Sequence, residues 1–258
     1  MLTGATNFRD LGGLPVAGGR RVRHGRIYRS NNLARLTDDD VSTIEGLGLR
    51  TVVDLRTEAE RLRNPTRGLW DAVTTVTSAK RDTAEMLASL IGAGEGDDAA
   101  LLERFSAFYA RMPDLYADEY GAMFGALAAG ETPLLVNCSA GKDRTGVAVM
   151  LIMVALKVDH DAIIADYMLS GARLPSGPGF TDMLSATAAE RFGRLSPKAR
   201  AVMLGVDPGH IEAALEAVRR DYGSAQGYLI DRLGLTADAI RAMRHHLTED
   251  VHESGREP

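Results

Sequence analysis

One stretch of this chain combines a nucleophile, a cation and a backbone able to curl around an anion: Asn137-Cys138-Ser139-Ala140-Gly141-Lys142-Asp143-Arg144-Thr145-Gly146. Cys138 is the only cysteine among 258 residues, and Arg144 follows it six positions later. A thiol held where N–H groups converge is driven toward thiolate, the form that attacks electrophiles. The guanidinium of Arg144 is a planar, permanently charged fork suited to two phosphate oxygens. The chemistry open to such a set is attack by sulfur on a bound phosphate monoester. Arg144 and the backbone N–H groups of Ser139, Ala140, Gly141, Lys142, Asp143 and Arg144 would hold the phosphate oxygens.

Other readings of the same residues are weaker. A lone cysteine at a strand end is commonly a small buried hydrophobe, but the arginine, the glycine and the flanking pattern argue against that here. A nucleotide-binding loop of the form G-x-x-x-x-G-K-[ST] fails, because Val136 stands where its first glycine belongs and Asp143 where its Ser/Thr belongs. A sulfurtransferase, which also carries a cysteine in an anion-binding loop, is the nearest rival on chemistry alone. A phospho-ligand binding module with an impaired site is a third reading.

The flanks say how the stretch is positioned. Pro133-Leu134-Leu135-Val136 reads as a short buried strand, and Val147 to Leu156, almost wholly apolar, as a buried helix. A strand, a tight loop and a helix N-terminus aim unpaired N–H groups and the positive end of a dipole at one spot. Arg50 to Leu55 reads as another strand, and residues 71 to 77 as a second β-rich stretch. Thr37, followed by Asp38, Asp39 and Asp40, is a fitting helix start for Thr37 to Leu47. Strands alternating with helices predict an α/β fold, a central mostly parallel sheet with helices on both faces. Ligands of such sheets lie at the carboxyl ends of the strands. Two regions look added to the core. Residues 82 to 112 hold Met86 to Ile91, a glycine-rich acidic break, and then Leu101, Leu102, Phe105, Phe108 and Tyr109 on one helical face; they suit an inserted helical lid or a face packed on the body. Residues 160 to 250 read as a helical C-terminal part, with turns at Pro175 to Gly179, Ser196-Pro197 and Asp207-Pro208-Gly209, and Ile211, Leu215 and Val218 on one helix face. No linker or repeat divides the chain, so residues 1–258 are expected to form one domain.

Composition excludes several classes. A net charge of −5 argues against general nucleic-acid binding. The longest apolar run, Val147 to Leu156, is too short for an integral membrane segment. One cysteine excludes an intrachain disulfide, and no basic flank precedes an apolar stretch at the N-terminus, so a cytoplasmic location is expected. The six histidines show no metal-ligand spacing, and neither a metal nor another cofactor is expected. His245-His246 read as the solvated end of a helix. Oligomeric state is not legible.

The Cys-x5-Arg loop in the form G-K-D-R-T-G resembles the cysteine-dependent protein tyrosine phosphatase superfamily. Within it, the chain is similar to the bacterial and fungal tyrosine/lipid phosphatase group, which has a mycobacterial secreted member. Four further motifs carry the resemblance in order: Asn7-Phe8-Arg9-Asp10-Leu11-Gly12-Gly13, Gly25-Arg26-Ile27-Tyr28-Arg29-Ser30, Val52-Val53-Asp54-Leu55-Arg56, and Ile164-Ala165-Asp166-Tyr167-Met168-Leu169-Ser170. Tyr222-Gly223-Ser224 follows them, and together they cover most of residues 4 to 247. The resemblance implies a tyrosine-phosphatase-like fold and a phosphatase forming a cysteinyl-phosphate on Cys138. A carboxylic acid must protonate the leaving oxygen. The group's use of G-K-D-R points to Asp143, and the mobile acid loop of related phosphatases to Asp82. Asp54 and Arg56 are expected to brace the loop, and Thr145 to hydrogen-bond the sulfur or cap the helix. Expected substrates are phosphorylated protein (phosphotyrosine, then phosphoserine or phosphothreonine) and phospholipid or inositol phosphate. A second cation at Lys142 would favour the polyanionic phosphoinositides; alternatively Lys142 points to solvent or pairs with an acid. One departure stands out: the family usually carries His before the cysteine, and Asn137 occupies that position, so slower catalysis is expected.

Overall fold

Val52-Val53, Leu134-Leu135-Val136 and Ile27-Tyr28 are unbroken apolar runs, the pattern of strands covered on both faces. Each forms an inner strand of a sheet in the computed structural model, which describes residues 2–68, 73–77, 98–173 and 186–251. The strands are β1 (Arg9–Asp10), β2 (Pro15–Val16), β3 (Arg20–Val22), β4 (Ile27–Ser30), β5 (Thr51–Asp54), β6 (Thr74–Thr77), β7 (Leu134–Asn137) and β8 (Thr248–Asp250). The main sheet runs β1-β4-β7-β5-β6, with β4, β7, β5 and β6 parallel and β1 antiparallel on the β4 edge. Asn137 is level with Ser30 on one side and Asp54 on the other. Three strands therefore end together, and the chain leaving each meets the others at one edge.

The longer helices among the described residues are α1 (Asp38–Gly46), α2 (Glu58–Arg63), α3 (Asp98–Leu115), α4 (Ala117–Ala128), α5 (Asp143–Ala155), α6 (His160–Arg173), α7 (Ala186–Arg194), α8 (Pro197–Leu204), α9 (Pro208–Tyr222) and α10 (Ala237–Leu247). Side chains alternate across the sheet. Ile27, Val53, Leu134 and Val136 face the larger core with Met123, Phe124, Val147 and Leu151 of α4 and α5. Tyr28, Val52 and Leu135 face a smaller core with Leu36 and Ile44 of the α1 region. The fold is thus mixed α/β, with a mostly parallel sheet flanked by helices.

Thr37 caps α1 through a capping box with Asp40. Ser196 and Asp207, read from the sequence as turns, are the N-caps of α8 and α9, each followed by Pro in the first helical turn. Ile211, Leu215 and Val218 are buried, and His245 and His246 end α10 exposed. The C-terminal part, expected to be mostly helical, closes on one short strand. Thr248–Asp250 is a strand, β8, which pairs antiparallel with β3 because Arg20 to Val22 offers it an open edge. Of the expected lid segment, residues 82–97 lie outside the described residues, as do Pro175 to Gly179. Residues 98–112 belong to α3, whose Phe105, Phe108 and Tyr109 are buried in the larger core while Leu102 is exposed. Among the described residues, no helix is long and apolar enough to cross a membrane.

Candidate active site

The loop from Cys138 to Lys142 joins β7 to α5 at the carboxyl edge of the sheet. Gly141 lets it close: its φ is +67°, and a Cβ there would lie 2.4 Å from the Ser30 carbonyl oxygen at the end of β4. Gly146 serves the next layer, since a Cβ there would press on the Tyr167 ring of α6 at 3.1 Å. The turn carries the sulfur under an amide, with Gly141 N–H donating to Cys138 Sγ at 3.2 Å. Cys138 itself is buried.

Arg144, in the first turn of α5, is held from the neighbouring strand exit. Its Nη1 donates to the Leu55 carbonyl at 3.0 Å and to Glu60 Oε2 at 2.7 Å, and its Nη2 to Glu60 Oε1 at 2.8 Å. Glu60 also accepts from Ser139 Oγ at 2.6 Å and from the Thr57 N–H at 2.8 Å. The last bond is half of a capping box that starts α2, so the helix cap and the arginine clamp share one carboxylate. Burial pushes the Glu60 carboxyl up, but the Arg144 charge and the hydrogen bonds outweigh it and hold Glu60 at about 2. Burial would likewise lower Arg144; the Glu60 charge and hydrogen bonds prevail and hold it well above its ordinary value.

Asp143 begins α5, with 26% of its side chain exposed. Its Oδ1 accepts from Tyr109 Oη at 2.5 Å and lies 3.3 Å from Lys142 Nζ. Tyr109 Oη also meets Tyr167 Oη at 2.7 Å. Burial, with Asp143 and Tyr167 nearby, raises Tyr109 well above its ordinary value, so it stays a hydroxyl. One hydroxyl has one hydrogen; with Tyr109 donating to Asp143, Tyr167 donates to Tyr109. His210 stacks on Tyr109 at 5.0 Å between ring centroids. Both its ring nitrogens are buried without a partner among the described residues, and burial, then the Lys142 charge, lowers its pKa.

Lys142 is 2% exposed. Its ammonium donates to the carbonyls of Met203 at 2.7 Å and Gly205 at 3.0 Å, at the end of α8. The side chain thus ties α8 to the loop and pairs with Asp143, and the alternative in which it points to solvent is corrected: the C-terminal carbonyls of α8 draw it inward. Asn137 Nδ2 donates to Asp54 Oδ1 at 3.2 Å, while its Oδ1 is buried without a partner among the described residues. Asp54 is gripped by Arg56, which also donates to the Asn64 carbonyl and Thr66 Oγ1. Thr145 Oγ1 is buried with no partner among the described residues, so neither the sulfur contact nor the helix cap forms, and Lys142 occupies the N-cap position. Asp82 lies outside the described residues. Among them, no group of three His, Cys, Asp or Glu is placed to hold a metal ion.

The structure thus brings together Cys138, Ser139, Gly141, Lys142, Asp143 and Arg144. It adds Glu60 and Tyr109, which sequence reasoning missed as site residues. Thr57-Glu58-Ala59-Glu60 directly after Asp54-Leu55-Arg56 is a capping-box signature, and it could have located Glu60 at the strand exit beside the loop. Nothing in the sequence singles Tyr109 out from its apolar helix face.

A family model described as the tyrosine phosphatase family matches residues 1–249. A protein of Cupriavidus necator assigned as a tyrosine-protein phosphatase is 34% identical over 248 residues, covering 94% of this chain and 86% of that protein. The triple specificity protein phosphatase PtpB of Mycobacterium tuberculosis is 32% identical over 278 residues, covering 94% of this chain and 96% of its own. A tyrosine-protein phosphatase of Nostoc commune is 26% identical over 231 residues, covering 86% and 74%.

Proposed function

The chain belongs to the tyrosine phosphatase family and is a phosphoric monoester hydrolase, and from that premise we propose how its residues divide the work. Cys138 is the nucleophile. Its sulfur attacks phosphorus, an S–P bond forms, and the bond to the leaving oxygen breaks. Arg144 and the N–H groups of residues 139 to 144 bind the equatorial oxygens and the charge they carry in the transition state. Asp143 gives its proton to the leaving oxygen. As a carboxylate it then takes a proton from water, the water oxygen attacks phosphorus, the S–P bond breaks, and phosphate leaves with the thiolate restored. Asp82 is the alternative acid. Glu60 orients the guanidinium, and Tyr109 orients the Asp143 carboxyl.

The single observation that carries this assignment is the Gly141 N–H on Cys138 Sγ at 3.2 Å, in a loop whose arginine is clamped by a buried carboxylate. The substrate class is a phosphorylated protein, phosphotyrosine first, with phosphoserine, phosphothreonine and phosphoinositides as further substrates. The relative named as a triple specificity protein phosphatase supports the wider range. Turnover on phosphotyrosine peptides, phosphoserine peptides and phosphoinositides tests it, with thiosulfate run alongside. Release of phosphate from phosphotyrosine is expected, and sulfur transfer from thiosulfate without phosphate release would overturn the reading.

A further inference from the structure

Three of the stretches that carry the resemblance, around Asn7, Arg29 and Asp166, are separate along the chain and have no part in the chemistry above. They converge behind the Cys138 loop. Asn32 Nδ2 and N–H donate to the Ser139 carbonyl at 3.0 and 3.1 Å. Asn7 Nδ2 donates to the carbonyls of Ala140 at 3.2 Å and Gly141 at 2.9 Å. Arg29 Nη2 adds a bond to the Gly141 carbonyl at 2.7 Å. Three consecutive loop carbonyls are thus held on the outer side.

In a trans peptide a C=O and the following N–H point in opposite directions. Holding the carbonyls of Ser139, Ala140 and Gly141 outward turns the N–H groups of Ala140, Gly141 and Lys142 inward, and the Gly141 N–H on Cys138 Sγ shows the result. Converging N–H dipoles repel one another while no anion is bound, so a loop kept ready for phosphate needs ties from outside. Arg29 is itself anchored. Its Nη1 pairs with Asp166 Oδ2, Arg9 Nε pairs with Asp166 Oδ1 at 2.6 Å, and Arg9 Nη1 donates to Asn7 Oδ1 at 2.5 Å. Ser170 Oγ receives Arg9 Nη2 at 3.2 Å and Arg29 Nη2 at 3.3 Å. Every member is buried. Burial first, then repulsion from Arg29, lowers Arg9 to about 10, which leaves it protonated at neutral pH. Two guanidiniums against one carboxylate give a net positive charge behind a loop that must hold a dianion.

The geometry points to Asn7 and Arg29 as positioning residues that hold the Cys138 loop in its anion-receptive form, with Arg9 and Asp166 fixing Arg29. This rests on the reading of the loop as a phosphate site. The test is calorimetric binding of tungstate, a phosphate-like oxyanion, to Asn7→Ser, Arg29→Lys and Arg29→Met, each measured well below its own melting midpoint so that lost stability alone does not move the constant. Losing a charge-assisted bond of this kind is expected to weaken tungstate by about tenfold or more. Arg29→Lys, which keeps the charge and one donor direction, should recover part of what Arg29→Met loses. If Arg29→Met does not fold, Asn7→Ser decides, since it leaves the Arg29–Asp166 pair in place. Folded Asn7→Ser and Arg29→Lys proteins that bind tungstate as tightly as wild type would overturn the inference. A wild-type protein that binds no tungstate would instead overturn the phosphate-site reading on which it rests.

Discussion

Glu60 is the residue whose replacement separates a clamp on Arg144 from a bystander. Glu60→Gln keeps the shape and one acceptor oxygen but turns an NH2 toward a guanidinium that now meets two charged bonds, at 2.7 and 2.8 Å. The fall of Glu60 from an ordinary 4.5 to about 2 corresponds to about 3 kcal/mol, at about 1.4 kcal/mol for each tenfold. Because the folded value is the lower one, this stabilisation is complete above about pH 4.5 and is lost as pH falls through about 2. Glu60→Gln should therefore unfold more easily than wild type by about 3 kcal/mol at pH 7, with the gap narrowing as the pH is lowered below 4.5. Urea denaturation at a series of pH values reads this directly. In the same variant Arg144 loses its fixed orientation. The value of kcat/KM on a phosphotyrosine peptide should then fall by about 10- to 100-fold, as expected when a positioned charge is mis-set. An unchanged kcat/KM, together with a stability gap that does not vary with pH, would refute the clamp.

Three further outcomes follow from contacts around the site. Asp143→Asn should cost about 10²–10⁴-fold on a phenyl or alkyl phosphate and visibly less on p-nitrophenyl phosphate, whose leaving group needs no proton; equal losses on both would move the acid elsewhere, with Asp82 next. Lys142→Met removes two carbonyl partners at 2.7 and 3.0 Å and should lower stability by about 1–3 kcal/mol, with equal proportional effects on phosphopeptide and phosphoinositide turnover; a selective loss on phosphoinositides would contradict its structural placement. His210 has its pKa lowered in the folded state, so the unfolded chain takes up the proton first and wild type loses stability as pH falls below 6.5. His210→Phe should remove that loss, and parallel pH dependences of stability for the two proteins between pH 7 and 5 would show that His210 takes its proton equally in both states.

The mostly parallel sheet and the strand-loop-helix around Cys138 were legible because unbroken apolar runs alternating with helical stretches, and a glycine-bearing turn, have few other solutions; the order of the strands was not. The spacing of Cys138 and Arg144 was legible for the same reason: the loop is local, and its geometry is written in consecutive residues. What could not be read is whatever depends on long-range register. For Lys142 the sequence left a phosphate-site cation, a solvent-facing side chain and an acid partner open, because nothing in its neighbourhood says that the end of α8, some sixty residues on, brings two carbonyls to it. Tyr109 was legible as part of an apolar helix face, and only the crossing of α3 over α5 turns its hydroxyl toward Asp143. Thr248–Asp250 is too short to announce itself as a strand, and becomes one because β3 has an unpaired edge. Glu60 was within reach, through a capping box beside a recognised strand exit.

The central claim is that phosphoryl passes through Cys138, and the most direct measurement is an acid quench of the enzyme turning over a radiolabelled phosphotyrosine peptide, followed by mapping of the label. Label on the peptide containing Cys138, absent from Cys138→Ser although that variant still binds the substrate through the remaining N–H cradle, is the predicted result. Steady turnover with no label on Cys138, or turnover that survives in Cys138→Ser, would contradict it.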